Sequence, residues 1–263
     1  SMNFQRCFME RADNLTVVIL TKNEEKNIVD VVRNAAQVAD DVLIIDSGST
    51  DKTVELAKQE NARVVYRAWD NDFAAQRNFA FEHTDKEWIL YLDADERLND
   101  ELVEAIKSVV KLNQVRQYSI KRKSIAFGKK FSYGVLKPDF VPRLFKTQRV
   151  RWVNKVHERP VCEDRLILLD GYIRHYTYTS WEQWINKFNQ YTTVWAENSH
   201  KEGKSVGLSQ AFAHMFFGFF NMLVLKKGIL DGGIGIALCF LHAYYTLMKY
   251  LKLIELNRCN IEE

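Results

Sequence analysis

Paired cysteines are missing from this chain. Cys7, Cys162, Cys239 and Cys259 are scattered and form no Cys-x-x-Cys spacing, which argues against a structural zinc site or a disulfide framework and favours a reducing compartment. Proline is scarce: Pro138, Pro142 and Pro160 are the only three in 263 residues, and all lie in one middle stretch. The segment Asn3 to Asn14 has no apolar core of the length a secretory leader needs. Acidic residues nearly vanish between Lys111 and Pro160, where 14 Lys/Arg face only Asp139 and Glu158, a local +12 that leaves −9 for the rest of a +3 chain. Such a block implies an anionic partner: nucleotide phosphates, nucleic acid or a phosphorylated lipid surface. Charge of either sign is absent from Ser205 to Leu225, 21 residues, and from Gly232 to Met248, 17 residues. Internal repeats and low-complexity segments are lacking too. A hydrophobic share of 47% with 27% charged residues excludes a disordered or fibrous class.

What is present in the first hundred residues is a regular alternation. Leu15–Thr21 is a β-branched apolar run that reads as a strand. Asn23 then offers a helix N-cap, with Glu24 and Glu25 in the first turn. Ile28, Val31, Val32, Ala35 and Ala36 mark one helix face. Asp41–Asp46 is a second strand, and Ser47-Gly48-Ser49-Thr50-Asp51 supplies a tight turn and a cap for a helix over 53–60. Arg63–Tyr66 is a short third strand, 74–83 a helix, and Trp88-Ile89-Leu90-Tyr91-Leu92 a fourth, central strand. Strand and helix alternating at this spacing predict a Rossmann-like, mostly parallel α/β sheet. Past Lys111, β-rich segments near 118–127, 141–146, 152–159 and 166–178 predict added antiparallel strands. From Ser180 the chain turns helical. The domain boundaries that follow are 1–178 and 179–263.

The central strand runs straight into Asp93-Ala94-Asp95-Glu96, at the carboxyl end where open α/β sheets bind ligands. If the chain stays extended, Asp93 and Asp95 point to one side. Two hard carboxylates there suit Mg²⁺ or Mn²⁺, which also binds substrate phosphates. The plain alternative is an acidic turn that caps the helix starting near Asn99 or Asp100.

Together, Val17–Glu24, Ile44–Asp51, Gln76-Arg77-Asn78 and Leu92–Glu96 resemble the family 2 glycosyltransferases of the GT-A fold. Pro138–Phe145, Val156-His157-Glu158, Asp231-Gly232-Gly233, Tyr244-Tyr245 and Lys249-Tyr250 extend the likeness to the bacterial lipopolysaccharide core β-glucosyltransferases. The resemblance implies an inverting, metal-dependent transfer of a hexose, glucose from UDP-glucose, to a lipopolysaccharide core or other phosphorylated, lipid-linked saccharide. It implies that Thr21, Asn23, Glu24 and Asp46 line the nucleotide pocket, Asp46 by accepting from a nucleobase N–H or merely by forming a turn. Arg77 would approach the diphosphate or hold Asp93; on a helix surface it would do neither. Asp93 would face the ribose or the metal, and Asp95 would ligate the metal, which stabilises the departing nucleoside diphosphate. His157 is a further candidate metal ligand and Glu158 the candidate base, against a plain salt bridge to Arg151 or Arg159. Asp139 is the reserve for base or acceptor contact.

A spanning helix needs about 20 predominantly apolar residues. The stretch 205–225 reaches that length but carries Ser209, Gln210, His214 and Asn221, and 232–248 is shorter. The expectation is therefore a C-terminal helical region lying in the interface of an anionic membrane, its aromatic face buried there. That places the protein in the cytoplasm, peripheral on the inner face of the membrane. Packing of these helices on the protein's own core, or pairing in a homo-oligomer, stays open. Two other readings are a polyprenyl-phosphate glycosyltransferase and a non-catalytic module for anionic lipid or nucleic acid. Carboxylates at a strand end argue against a nucleic-acid partner, since they repel phosphate unless a cation intervenes.

Overall fold

The computed structural model describes residues 11–154 and 158–259. In chain order the elements are β1 (Ala12–Thr21), α1 (Ile28–Ala35), β2 (Ala39–Asp46), α2 (Thr53–Gln59), β3 (Arg63–Tyr66), α3 (Phe73–Phe79), β4 (Trp88–Asp93), β5 (Glu96–Leu98), α4 (Asp100–Leu112) and β6 (Gln117–Ala126). They continue with β7 (Lys129–Lys130), β8 (Asp139–Lys146), β9 (Arg151–Val153), β10 (Arg159–Val161), β11 (Leu166–Leu168), β12 (Ile173–Tyr178), α5 (Trp181–Lys201), α6 (Leu208–Phe220) and α7 (Gly232–Cys259). Two compact units result: Ser1–Arg122 with Asp139–His175, and Lys123–Pro138 with Tyr176–Glu263.

The first unit is built on a sheet ordered β3-β2-β1-β4-β8-β6-β12-β5, with β11 beside β6. Strands β3, β2, β1 and β4 are mutually parallel; β8 is antiparallel to β4 and β6, and β12 to β5. Val17 and Ile19 of β1 and Leu90 and Leu92 of β4 bury one way, with α1 and α4 residues such as Val31, Val32, Leu102 and Ile106. Val18, Leu43, Ile45, Ile89 and Tyr91 bury the other way, with Ala74, Phe145 and Trp152. A sheet covered on both faces explains why these strands read as unbroken apolar runs rather than alternating ones. Strand order reverses around β1: β2 and β3 lie on one side, β4 on the other. Such a switch point opens a crevice at the carboxyl ends of β1 and β4.

Local differences from the sequence expectation have simple causes. Asn23 does not cap α1; it sits before the helix at φ 57° and spends its side-chain oxygen on the Thr50 N–H at 2.8 Å. Asn tolerates this left-handed conformation because its short polar side chain bonds locally. Asn99 does cap α4, accepting from Leu102 N at 3.2 Å. The three-residue β5, β10 and β11 are too short to carry a readable periodicity.

In the second unit α7 packs against both α5 and α6. Ser180 caps α5 by accepting from Gln183 N at 3.1 Å. The division differs from a cut at 178 because Lys123–Pro138 joins this unit. Phe131, Val135 and Leu136 bury with Trp184, Phe188 and Leu238, and the buried Asp231 accepts from Ser132 N and Tyr133 N at 3.2 and 2.9 Å. The turn before α7 lies so close to it that a Cβ on Gly235 would meet Gly228 O at 2.5 Å. Cys162 and Cys239 are free thiols.

Candidate active site

Two loops close over the carboxyl ends of β1 and β2. Asp46, 3% exposed, accepts from Thr21 Oγ1 at 3.0 Å and Ser49 Oγ at 2.5 Å on one oxygen. Its other oxygen accepts from Gly48 N and Ser49 N at 2.9 and 2.8 Å. A carboxylate offers about four lone-pair positions, so the turn uses all of them. A further donor to Asp46 therefore has to displace one of these four. Asn23 N donates to Ser49 Oγ at 2.8 Å and Glu24 N to Thr53 Oγ1 at 2.7 Å, which ties the β1 loop to the β2 loop.

Beside these loops is a cavity of about 250 Å³ lined by Leu20, Thr21, Glu24, Ser47, Phe73 and Gln76, among others. Trp69, also in its wall, meets Phe73 edge to face at 4.6 Å. Gln76 is buried; its amide nitrogen donates to Ser47 Oγ and Arg67 O, both at 3.1 Å, while its buried Oε1 has no partner among the described residues. A larger hollow of about 690 Å³, lined by Asp13, Asp41, Arg63 and Asp85 among others, opens at the amino ends of the strands. Ligands in open α/β sheets bind at the carboxyl ends, so the smaller cavity is the relevant one.

At the end of β4 the acids do not behave as a matched pair. The strand stops at Asp93 and Ala94-Asp95 form a turn, so the alternation of an extended chain does not reach Asp95. Asp93 accepts from Arg77 Nη2 at 3.2 Å on Oδ1 and from Arg143 Nη2 at 2.7 Å on Oδ2. Burial opposes its charge, but Arg143 and then Arg77 more than offset this and hold the carboxyl well below its usual range. Asp95 instead meets His175 Nε2 at 3.3 Å.

Asp93 belongs to an alternating relay of seven charged side chains. Arg77, buried in α3, also donates to Glu158 Oε1 at 3.3 Å and lies 4.6 Å from the Trp152 ring centre. Arg143 Nη2 donates to Glu96 Oε1 at 2.7 Å, and Glu96, fully buried, returns its other oxygen to the Asp93 N–H at 3.0 Å. Arg122 Nη1 donates to Glu96 at 3.3 Å, and its Nε and Nη2 grip Asp139 at 3.0 and 2.7 Å. The order is Glu158–Arg77–Asp93–Arg143–Glu96–Arg122–Asp139. Burial pushes the Glu96 carboxyl above its usual range. Arg143 stays charged because Asp93 and Glu96 outweigh its own burial.

Four of the fourteen cations in the basic block are paired with acids from elsewhere in the chain. Arg122, Arg143, Lys146 and Arg149 pair with Glu96, Asp93, Glu87 and Asp164, acids that lie outside 111–160. Of the residues expected from sequence, Arg77, Asp93, Glu158 and Asp139 are brought into one network, and Thr21, Asn23, Glu24 and Asp46 into the adjoining loops. His157 lies outside the described residues. Glu96 and Arg143 lie inside the motifs 92–96 and 138–145 without an assigned role, and Arg122 and His175 lie in none. A lone Arg inside the apolar run Val141-Pro142-Arg143-Leu144-Phe145 is a readable signal for a buried cation. Replacing Arg143 with Met should cost on the order of 3–5 kcal/mol, the usual loss when one partner of a buried ion pair is removed. Adding Glu96→Gln should recover part of it. Urea unfolding measures both, and a loss below about 1 kcal/mol would mean that Arg143 does not hold the relay together.

The Glycosyl transferase family 2 model matches residues 16–162, more than half of the chain, spanning every residue of the relay and both loops. The chain belongs to glycosyl transferase family 2. This glycosyltransferase is 28% identical over 256 residues to an uncharacterized glycosyltransferase of Rickettsia typhi, covering 92% of this chain and 87% of that one. Among solved structures it is similar to TarS of S. aureus, at 16% identity and a TM-score of 0.48, covering 92% of this chain and 55% of that one. It is also similar to glucosyl-3-phosphoglycerate synthase from Mycobacterium tuberculosis, crystallised with Mn²⁺, UDP and glucosyl-3-phosphoglycerate, at 19% identity and a TM-score of 0.38, covering 51% and 57%. The chain spans little more than half of those two solved chains. Family membership makes the protein an enzyme rather than a non-catalytic binding module.

Proposed function

We propose that the enzyme transfers a hexose, glucose from UDP-glucose, with inversion and with the aid of Mg²⁺ or Mn²⁺. The acceptor is a lipid-linked saccharide of the lipopolysaccharide core type, presented at the anionic inner face of the cytoplasmic membrane. The observation that carries the donor half is the placement of the Trp69–Phe73–Gln76 cavity and the Asp93/Asp95 turn at adjoining strand ends of one switch point. The aromatic wall of Trp69 and Phe73 suits stacking with a planar base, as uracil is.

The donor set fits a divalent cation held jointly with substrate. Among the described residues no group of three or more His, Cys, Asp and Glu could hold a metal. Asp95 and His175 nonetheless meet at 3.3 Å, and such ions commonly bind one or two protein groups and take their other ligands from phosphate oxygens and water. When bound, the cation neutralises charge that builds on the departing diphosphate. Asp93, committed to Arg77 and Arg143, fixes the turn that presents Asp95. Arg97 steadies the same turn by donating to Ala94 O at 2.7 Å and to Asn27 O at 3.0 Å. Glu158 and Asp139, at the two ends of the relay, are the carboxylates proposed to take the acceptor proton, Glu158 first.

Titration calorimetry with UDP, with and without Mn²⁺, tests the donor half. Binding is expected to tighten by at least about tenfold with the metal, a coupling of roughly 1.4 kcal/mol. UDP binding indifferent to Mn²⁺ would remove the metal from the reading. Hydrolysis across a panel of nucleotide sugars should be fastest for UDP-glucose, and a faster donor would replace glucose.

A further inference from the structure

The second unit carries an exposed apolar surface. Helix α6 and the π-helical turn Asn221–Leu225 that follows it form an 18-residue segment, Leu208–Leu225, of which only 6% is buried. On its inner side Ala211 is fully buried, a Cβ on Gly218 would stand 3.4 Å from Thr246 Oγ1 of α7, and Phe219 meets Phe240 of α7 at 4.6 Å. Its outer side carries Leu208, Phe212, Phe216, Phe217, Phe220 and Val224, with exposures from 41% at Phe212 to 65% at Phe216. A helix already packed on one side normally turns polar residues outward. Here the outward face is mainly phenyl rings, an apolar patch of the kind that marks an interaction site.

Charge around the patch indicates what covers it. No Asp or Glu occurs from Gly203 to Leu230; Lys204, which precedes α6, is paired with the exposed Glu202 at 2.6 Å, and Lys226-Lys227 follow the segment. Apolar rings that end on Lys226 and Lys227, neither of them in an ion pair with a carboxylate among the described residues, complement an anionic, amphiphilic surface. We infer that α6 lies in the plane of an anionic lipid bilayer, with its phenyl face among the upper acyl chains and Lys226 and Lys227 among the head groups. This rests on the peripheral location proposed above and names the element responsible for it.

A spanning hairpin of α6 and α7 fits less well, although both segments are long and apolar enough by composition. Helix α7 is tied along its length to α5: Phe188 stacks on Tyr244 at 5.4 Å, and Lys252 Nζ donates to Asn189 O and Thr193 Oγ1 at 3.0 and 2.8 Å. Insertion of α7 would drag Glu182, Lys187 and Glu197 of α5 toward hydrocarbon, where ionised side chains are costly. Lying in the interface immerses only the outer face of α6.

Flotation of the full chain with vesicles of neutral phosphatidylcholine, and with vesicles containing phosphatidylglycerol, tests the inference. Binding is expected to the anionic vesicles, to weaken at high salt, and to fall at least tenfold in the Phe216→Glu/Phe217→Glu variant, whose helix content is checked by circular dichroism. Equal flotation of that variant would overturn the assignment to α6. So would extraction that needs detergent at every salt, which indicates a spanning hairpin. Failure to float with either vesicle, together with a dimer that the variant makes monomeric, would give the face to a second copy of the chain. Metal-dependent UDP binding, measured on the same samples, reads the donor proposal separately and should not change in the variant.

Discussion

Replacing Asp95 with alanine is expected to lower kcat by 10²-fold or more, on the order of what is lost when one electrostatic stabiliser of a transition state is removed. The fold should survive, because Asp95 sits in the turn between β4 and β5, outside the apolar clusters, and pairs with His175 at 3.3 Å. UDP affinity in the presence of Mn²⁺ should fall toward its metal-free value. Asp93→Ala is expected to behave differently: it exposes Arg77 and Arg143 to each other without their shared anion, so unfolding free energy should drop along with rate. His175→Ala should weaken Mn²⁺ dependence if this imidazole is the ligand, and His157→Ala should do so if the role belongs there. Near-normal turnover of Asp95→Ala at saturating donor would remove the metal assignment.

Changing Glu158 to Gln is expected to lower kcat by about 10²–10⁴, the usual range for general acid–base catalysis, with little change in donor affinity. The amide keeps the shape of the carboxylate and can still accept from Arg77, so the relay should hold. Asp139→Asn is the paired measurement. Asp139 is held by two Arg122 nitrogens and its side chain is about half exposed, at 51%, against 20% for Glu158. If Asp139→Asn gives the large loss and Glu158→Gln almost none, the base is Asp139 and Glu158 is a positioning residue that acts through Arg77. The readout is single-turnover rate against acceptor, with donor binding measured separately.

The sequence by itself determined the parallel half of the fold. Buried strands in a sheet covered on both faces must be apolar at every position, and the intervening helices must keep one apolar face, so β1 to β4 and α1 to α4 were written into local pattern. It also determined where ligands approach, since the acids of 93–96 end an apolar strand. The uncharged runs after Ser205 announced α6 and α7. What it could not determine was which acid meets which base. Arg77, Asp93, Glu96, Arg122, Arg143, Asp139 and Glu158 are separated by up to 81 positions, and only strand order and register bring them within hydrogen-bond reach.

That tertiary arrangement changed two readings. Asp93 and Asp95, two positions apart, part company at a turn: one is gripped by arginines and the other is turned toward His175, a residue 80 positions on that no local signal connects to it. The basic block 111–160, which implied an anionic partner, spends Arg122, Arg143, Lys146 and Arg149 on acids of the protein itself. Only the tertiary structure could decide, too, that the aromatic face of α6 points away from α7. Periodicity marks a helix as apolar on two sides, but it does not say which of them the rest of the chain covers.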